Sequence, residues 1–421
     1  MRCRTAAALG LASCALMPAG ATAASDPLRA QQWNLDAINA DAAHRVSTGA
    51  GATVAVLDSG VQASHPDLMG RVIAGRDFID GDQTPDDQHG HGTNVAGIIV
   101  ARDRNGIGIK GAAPGADVLS IRVLDAQNRG DSGVLTAGVK AAVAAGAAVI
   151  NLSVNPRVAL APQFVGGDPL VQAIEAAARA GVVVVASAGN DGLPLCNQPL
   201  LATKILCVGA INRSRQRSSY SNYAVRVDIV APGGERQPNE AITSAQLGGG
   251  YSSMAGTSQA TPHVAAAAAL LVSLGLRGRA VIERLEQTAT PLPNALQLGH
   301  GVVNMEAAVA GLGPTPAAHA PAARSLAVRM PTRMRYSTLR RRGVRVVCTS
   351  PQPTTCRVRV THRGRLLARG SRRVRANTPS TMFAVLTPAG RRTVRRLSRL
   401  VANVTVTASG ASVRRKITLV R

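Results

Sequence analysis

Three short stretches of this 421-residue chain carry side chains that could act together in group transfer. Gly256 to Leu271 reads G-T-S-Q-A-T-P-H-V-A-A-A-A-A-L-L, so Ser258 lies where a loop enters an Ala/Leu run of strong helix propensity. A hydroxyl there sits at a helix N-terminus, which favours nearby negative charge. The same serine could be an ordinary helix cap. Pro262 is expected in the first helical turn, where no amide donor is needed from it. Val54 to Pro66 reads V-A-V-L-D-S-G-V-Q-A-S-H-P, an apolar strand run ending in Asp58 and a glycine turn. His89 to Gly97 reads H-G-H-G-T-N-V-A-G, with His91 immediately before Gly-Thr. A serine hydroxyl is a poor nucleophile until a positioned base removes its proton. An imidazole does this near neutral pH, and a buried carboxylate fixes its tautomer and stabilises the imidazolium. Asp58, His91 and Ser258 supply those three groups.

Positioning them requires elements that end at loops, and the chain provides them. Residues 33–310 alternate apolar strand candidates with helical patterns. The strands are Thr53–Leu57, Val118–Val123, Ala148–Leu152, Val182–Ser187 and Ile205–Ala210. Continuous apolar runs of this kind suit a parallel sheet covered on both faces. Helical patterns fall at Val95–Ala101, Val134–Ala145, Pro169–Ala180, Arg277–Ala289 and Met305–Gly311, the third opened by the cap pair Asp168-Pro169. The alternation predicts an α/β fold, a doubly wound, mostly parallel sheet with its chemistry at the carboxyl ends of the strands. Asp58 after a strand and His91 before a helix obey that rule.

The three motifs in this order resemble the subtilisin-like serine proteases, the subtilase family, whose chain order is also Asp, His, Ser. The resemblance implies a secreted serine endopeptidase forming an acyl-enzyme on Ser258, with His91 as general base and acid and Asp58 orienting it. It assigns the base to His91, leaving His89 a loop residue. Val182 to Gly192 reads V-V-V-V-A-S-A-G-N-D-G, and Asn190 stands where the family uses an amide to stabilise the oxyanion. A turn asparagine is the plainer use of Asn-Asp-Gly. By the same resemblance, an extended peptide or protein substrate adds between Asn128–Ser132 and Leu152–Asn155, over a pocket floored by Ser187–Gly189. This names Ser153, Val154, Asn155, Ala188 and Gly189 as substrate-binding residues. Asn155 replaces the family's glycine after Ser153-Val154, and the loop Pro156 to Gly167 is long. Gln259 replaces the methionine that usually follows the nucleophile. No cofactor is required for the chemistry, and a monomer is expected. Structural Ca2+ is common in the family; Asp67, Asp103 and Asn105 are candidate oxygen donors, but their spacing favours a solvated surface and leaves the metal unknown. Only Ala24 to Gln32 precedes the resemblance after the leader, which leaves no room for the family's folding-assisting propeptide.

Residues 1–24 form a predicted signal peptide, with Arg2 and Arg4, an apolar run from Ala6 to Met17, and the small-x-small site Ala21-Thr22-Ala23. Leu11-Ala12-Ser13-Cys14 is a competing lipid-attachment pattern. Four cysteines remain after the leader, and an exported chain suggests two bridges, Cys196–Cys207 and Cys348–Cys356, each inside one predicted domain. Cys207 could instead be a free buried thiol. The peptidase domain spans 25–310, and a Pro/Ala linker covers 311–323. An Arg-rich C-terminal domain, 324–421, is predicted to be all-β, a small sandwich, from alternating runs at Arg345–Val347, Arg357–Thr361, Met382–Leu386, Val404–Thr407 and Lys416–Val420. That domain holds 25 of the 48 Lys and Arg and no Asp or Glu, so the whole net charge of +25 lies in it. Phe383 and Tyr336 are its only aromatics, too few for a nucleic-acid stacking platform, and no nucleic acid is expected. An anionic cell-envelope polymer is one partner such charge would suit; plain solubilisation by arginine is the other use. The alternative to an enzyme is an inactive protease-fold scaffold held at the envelope by this cationic tail.

Overall fold

The computed structural model describes residues 25–154, 168–197, 205–237, 239–313, 327–331, 333–350, 354–374, 380–395, 399–408 and 411–420. The predicted leader, Asn155 with the loop that follows it, and most of the Pro/Ala linker lie outside these residues. The chain divides into two compact units, Met1–Pro316 and Ala317–Arg421.

The larger unit is built on seven parallel strands: β1 Thr53–Asp58, β2 Val72–Asp77, β3 Asp117–Arg122, β4 Val149–Leu152, β5 Val183–Ser187, β6 Ile205–Ile211 and β7 Ile229–Pro232. Their order across the sheet is β2-β3-β1-β4-β5-β6-β7. β1 shows why the run is apolar throughout. Val54 and Val56 pack into one layer with Val95, Ile99 and Leu270, while Ala55 and Leu57 pack into the opposite layer with Leu135, Val139 and Ile174. A strand buried on both faces has no polar alternation to show. An antiparallel hairpin, β8 Ile242–Ala245 with β9 Tyr251–Met254, precedes the serine helix.

In chain order the helices of this unit are α1 Trp33–Ala37, α2 Ala40–Ala43, α3 His91–Val100, α4 Ser132–Ala144, α5 Pro169–Arg179, α6 Thr257–Ser273, α7 Arg279–Thr288, α8 Ala295–Leu298 and α9 Met305–Val309. The α5 cap forms as its sequence predicts, with the Asp168 carboxylate accepting from the Leu170 and Val171 amides. Pro262 departs from expectation. It is the sixth residue of α6, in the second turn, and so leaves the Ser258 carbonyl without its helical donor. The Ser153 hydroxyl supplies that bond at 2.9 Å.

Among its described residues the smaller unit carries eight strands: β10 Ala327–Arg329, β11 Arg333–Arg335, β12 Val344–Thr349, β13 Thr354–His362, β14 Arg365–Val374, β15 Ser380–Leu386, β16 Arg399–Ala408 and β17 Ala411–Val420. Among the described residues it also carries two short helices, α10 Tyr336–Arg342 and α11 Pro388–Arg395. The strands join in a single order, β10-β12-β15-β14-β13-β16-β17-β11, in place of two separate facing sheets. Alternation along a strand specifies only one buried face, and one curved sheet around a shared core meets that demand as a sandwich would. The disulfides are Cys196–Cys207 and Cys348–Cys356.

His263 ties the N-terminal segment to α6. Its ring is fully buried, Nδ1–H donates to the Gln259 carbonyl at 2.9 Å, and Nε2 accepts from Asn34 Nδ2 at 2.8 Å. A carbonyl can only accept, so this network fixes the neutral tautomer. Burial, opposed by the backbone carbonyls, lowers the His263 pKa to about 4. The unfolded chain takes up this proton near pH 6.5, before the folded one does. Stability from the group is therefore whole above pH 6.5 and is lost as pH falls toward 4, by about 3 kcal/mol. Denaturant unfolding of wild type and His263→Gln should give a stability gap that narrows from pH 7 to pH 4. Parallel curves would exclude this linkage.

Candidate active site

Asp58 is the last residue of β1, at the carboxyl edge of the sheet and wholly buried. A buried carboxylate must be matched by donors. The Ser59 amide donates to Oδ1 at 2.7 Å, and His91 Nδ1–H lies 2.7 Å from Oδ1 and 2.9 Å from Oδ2. That bond leaves the lone pair of His91 on Nε2. Burial pulls the His91 pKa down, but the charge and hydrogen bond of Asp58 and the charge of Asp87 outweigh it. The ring therefore holds a proton to higher pH than an ordinary histidine.

His91 opens α3, and the loop before it is fixed by residues that the sequence pattern did not single out. Asp87 accepts from the amides of His89 and Gly90, from the Ser59 hydroxyl, and from both the amide and hydroxyl of Thr93. Arg122, the buried end of β3, reaches Asp77 at 3.0 Å, Asp80 at 2.7 Å and Gln88 at 2.9 Å, holding the other end of that loop. Gly92 admits the helix: a methyl there would collide with the Gly60 carbonyl and crowd the Asp58 side chain. His89 is an exposed loop residue.

Ser258 is the second residue of α6 and half-buried. Its hydroxyl donates to the Ser153 carbonyl at 3.1 Å, while the Ser153 hydroxyl donates to the Ser258 carbonyl. Among the described residues no hydrogen bond joins Ser258 Oγ to His91. The two helix starts are nevertheless linked directly, since Gln259 Nε2 donates to Asn94 Oδ1 at 3.2 Å. Gln259, in the position of the family's methionine, thus bridges the residue after Ser258 to one turn past His91.

Asn190 follows β5 and is exposed. Its Oδ1 accepts from the Thr257 amide at 2.8 Å and the Thr257 hydroxyl at 3.0 Å. An amide N–H can bond only the oxygen, so the Asn190 NH2 is turned away from Thr257 and keeps its donors for another acceptor. Asn222, also missed in the sequence, holds this loop. Its Oδ1 accepts from the Asp191 and Leu193 amides and its Nδ2 donates to the Ala188 carbonyl. Gly189 sits at φ +110° with Asn197 and Asn222 against it, where a side chain does not fit.

Ser153 and Val154, just past β4, are buried beside Ala188 and Gly189, just past β5; Ser187 Oγ donates to the Val154 carbonyl at 3.3 Å. Asn155 lies outside the described residues. The segment Asn128–Ser132 is not a strand: Asn128 turns at φ +60°, Asp131 caps α4 and Ser132 is already helical. Asp67 also departs from its solvated-surface expectation. It is fully buried, accepting from Asn105 Nδ2, the Ile109 amide and the Tyr251 hydroxyl. Asp103 pairs with Lys110 at 3.4 Å. Among the described residues no group of three His, Cys, Asp or Glu could hold a metal ion.

A model of the subtilase family matches residues 49–304, more than half of the chain. The chain belongs to the subtilase family. It is 39% identical to thermitase of Thermoactinomyces vulgaris over 266 residues, 63% of this chain and 91% of that protein. It is likewise 39% identical to subtilisin BL of Lederbergia lenta over 279 residues, 66% of this chain and 97% of the relative. Among solved structures, a protease from Pseudoalteromonas arctica PAMC 21717 superposes with a TM-score of 0.63 at 28% identity, covering 69% of this chain and all of the other. This subtilase is a serine-type endopeptidase, and its chemistry needs no cofactor.

Asp87→Asn removes one of the charges that raise the His91 pKa. Ring-proton NMR titration should show His91 moving to lower pH, by less than in Asp58→Asn, which loses charge and hydrogen bond together. An unchanged His91 titration would remove Asp87 from the electrostatics of the site.

Proposed function

We propose that this subtilase is an exported endopeptidase in which Ser258 is the nucleophile, His91 the base and then acid, and Asp58 the orienting carboxylate. The buried Asp58–His91 contact at 2.7 Å carries this reading, because it directs the basic Nε2 away from the carboxylate. Rotation about the Ser258 Cα–Cβ bond re-aims its hydroxyl from the Ser153 carbonyl to that nitrogen. As Oγ attacks the peptide carbonyl, His91 takes the proton, and Asp58 stabilises the imidazolium. The oxyanion is received by Asn190 Nδ2 and the Ser258 amide, donors already fixed before reaction. His91 then returns the proton to the leaving amine, and water repeats the sequence on the acyl-enzyme. Ser153, Val154, Asn155, Ala188 and Gly189 are proposed to bind the peptide chain. All these groups come from one chain, in keeping with action as a monomer. Export rests on the leader pattern in residues 1–24 and on the two disulfides.

Casein hydrolysis should disappear in Ser258→Ala. Asn190→Ala should lower kcat by about 10²- to 10³-fold with little change in KM. Since the base must be neutral and its pKa is raised, the acid limb of kcat/KM should lie above the ordinary histidine value. Full turnover by Ser258→Ala would overturn the assignment, as would an acid limb at or below the ordinary histidine value.

A further inference from the structure

The C-terminal unit contains no Asp or Glu in residues 324–421, so its 25 Lys and Arg cannot neutralise one another through side-chain ion pairs. Strand register gathers part of that charge on one face. Val358 and Val360 of β13 enter the core, which turns Arg357 and Arg359 outward. Arg359 stands opposite Arg369 of β14 on one side and Thr405 of β16 on the other, and Thr405 stands opposite Arg414 of β17. One row further along, Lys416 is opposite Asn403; on the other side, beyond β14, Arg345 of β12 is opposite Phe383 of β15. All six cations are exposed.

Neighbouring strands lie about 4.8 Å apart, and alternate residues on one strand are about 6.7 Å apart. The face therefore sets Arg359 beside Arg369 and one row from Arg357, and carries Arg414, Lys416 and Arg345 farther out across neutral residues. Like charges directly opposite destabilise a sheet, so the Arg359–Arg369 pair is a cost to folding. Guanidinium groups match phosphate oxygens in bidentate geometry better than ammonium does, and five of the six are arginine. Phe383 is the one aromatic on this face, which gives bases no row to stack on.

We propose that this face, formed by Arg345, Arg357, Arg359, Arg369, Arg414 and Lys416, binds a linear phosphodiester polymer that lacks bases. This deepens the reading of an exported protease, on which it rests, by naming the anionic partner that retains the enzyme. A second group, Arg340, Arg341 and Arg391 with Ser337 around a cavity of about 340 Å³, provides an internal comparison from which the same two charges can be removed.

The test is binding of the full chain to fluorescein-labelled poly(glycerol phosphate) over a salt series. Arg359→Gln/Arg369→Gln should bind at least tenfold more weakly. Its log–log salt slope should be shallower by about 1.4, two phosphate contacts at about 0.7 each. Because a like-charge contact is relieved, the same variant should unfold at a higher temperature. Arg340→Gln/Arg341→Gln, with the same charge removed, should stay within about threefold of wild type. Equal losses in both variants, or no binding by wild type, would overturn the proposal. Tighter binding of oligothymidylate of matched charge would overturn it in favour of nucleic acid. Casein hydrolysis by the same samples reports separately on the protease assignment, so failure of the polymer binding is distinguishable from failure of that reading.

Discussion

A carboxylate with no exposure to solvent is the constraint around which the catalytic unit is arranged. Asp58 has to be answered by donors inside the protein, because an unpaired buried charge costs several kcal/mol. One donor is the next amide in the chain; the other must arrive from a separate helix, and that fixes where α3 begins. The demands then propagate outward. Asp87 gathers the amides and hydroxyls of the loop, and Arg122 holds its far end to β3. The histidine ring ends up in a place where opposite charge outweighs desolvation.

The turn that carries Ser258 is held by a different kind of demand. Pro262 withholds one amide from α6, and the open carbonyl belongs to Ser258 itself. Ser153 fills it from just past β4, so that strand and the helix that carries Ser258 share a bond. Thr257, the preceding residue, does the same for Asn190 and thereby decides which end of that amide faces outward. Two neighbouring residues of one helix thus register the loops after β4 and β5.

Much of this was legible in the sequence because it depends on local chemistry. The apolar runs of β1, β3, β4, β5 and β6, the Asp168 cap, and the Asp58, His91, Ser258 and Asn190 motifs all announce themselves within a few residues. What was not legible depends on partners far along the chain. β2 is half-exposed at the sheet edge and lacks the apolar run, while β7 has only Ile229, Val230 and Ala231 between Asp228 and Pro232. Pro262 looked like a first-turn proline because the helix start could not be set without seeing Gly256 as its cap. Asp87, Asn222 and Arg122 are ordinary polar residues until their donors converge. In the C-terminal unit the alternation was visible, but Arg365–Val374 hid a strand behind its charges, and no local signal distinguishes one curved sheet from two flat ones.

The contact between Gly92 and the Gly60 carbonyl has a consequence for how such a molecule can change over time. Backbone meets backbone there, with no side chain between that could be exchanged to move the histidine helix by small steps. Close-packed interiors do not deform continuously, so the spacing of the central groups is effectively a fixed inheritance. Variation is left to the rims, where loops can lengthen without disturbing that contact. Divergence among relatives of this chain would accordingly be spent on which peptides are admitted, and little of it on how they are cut.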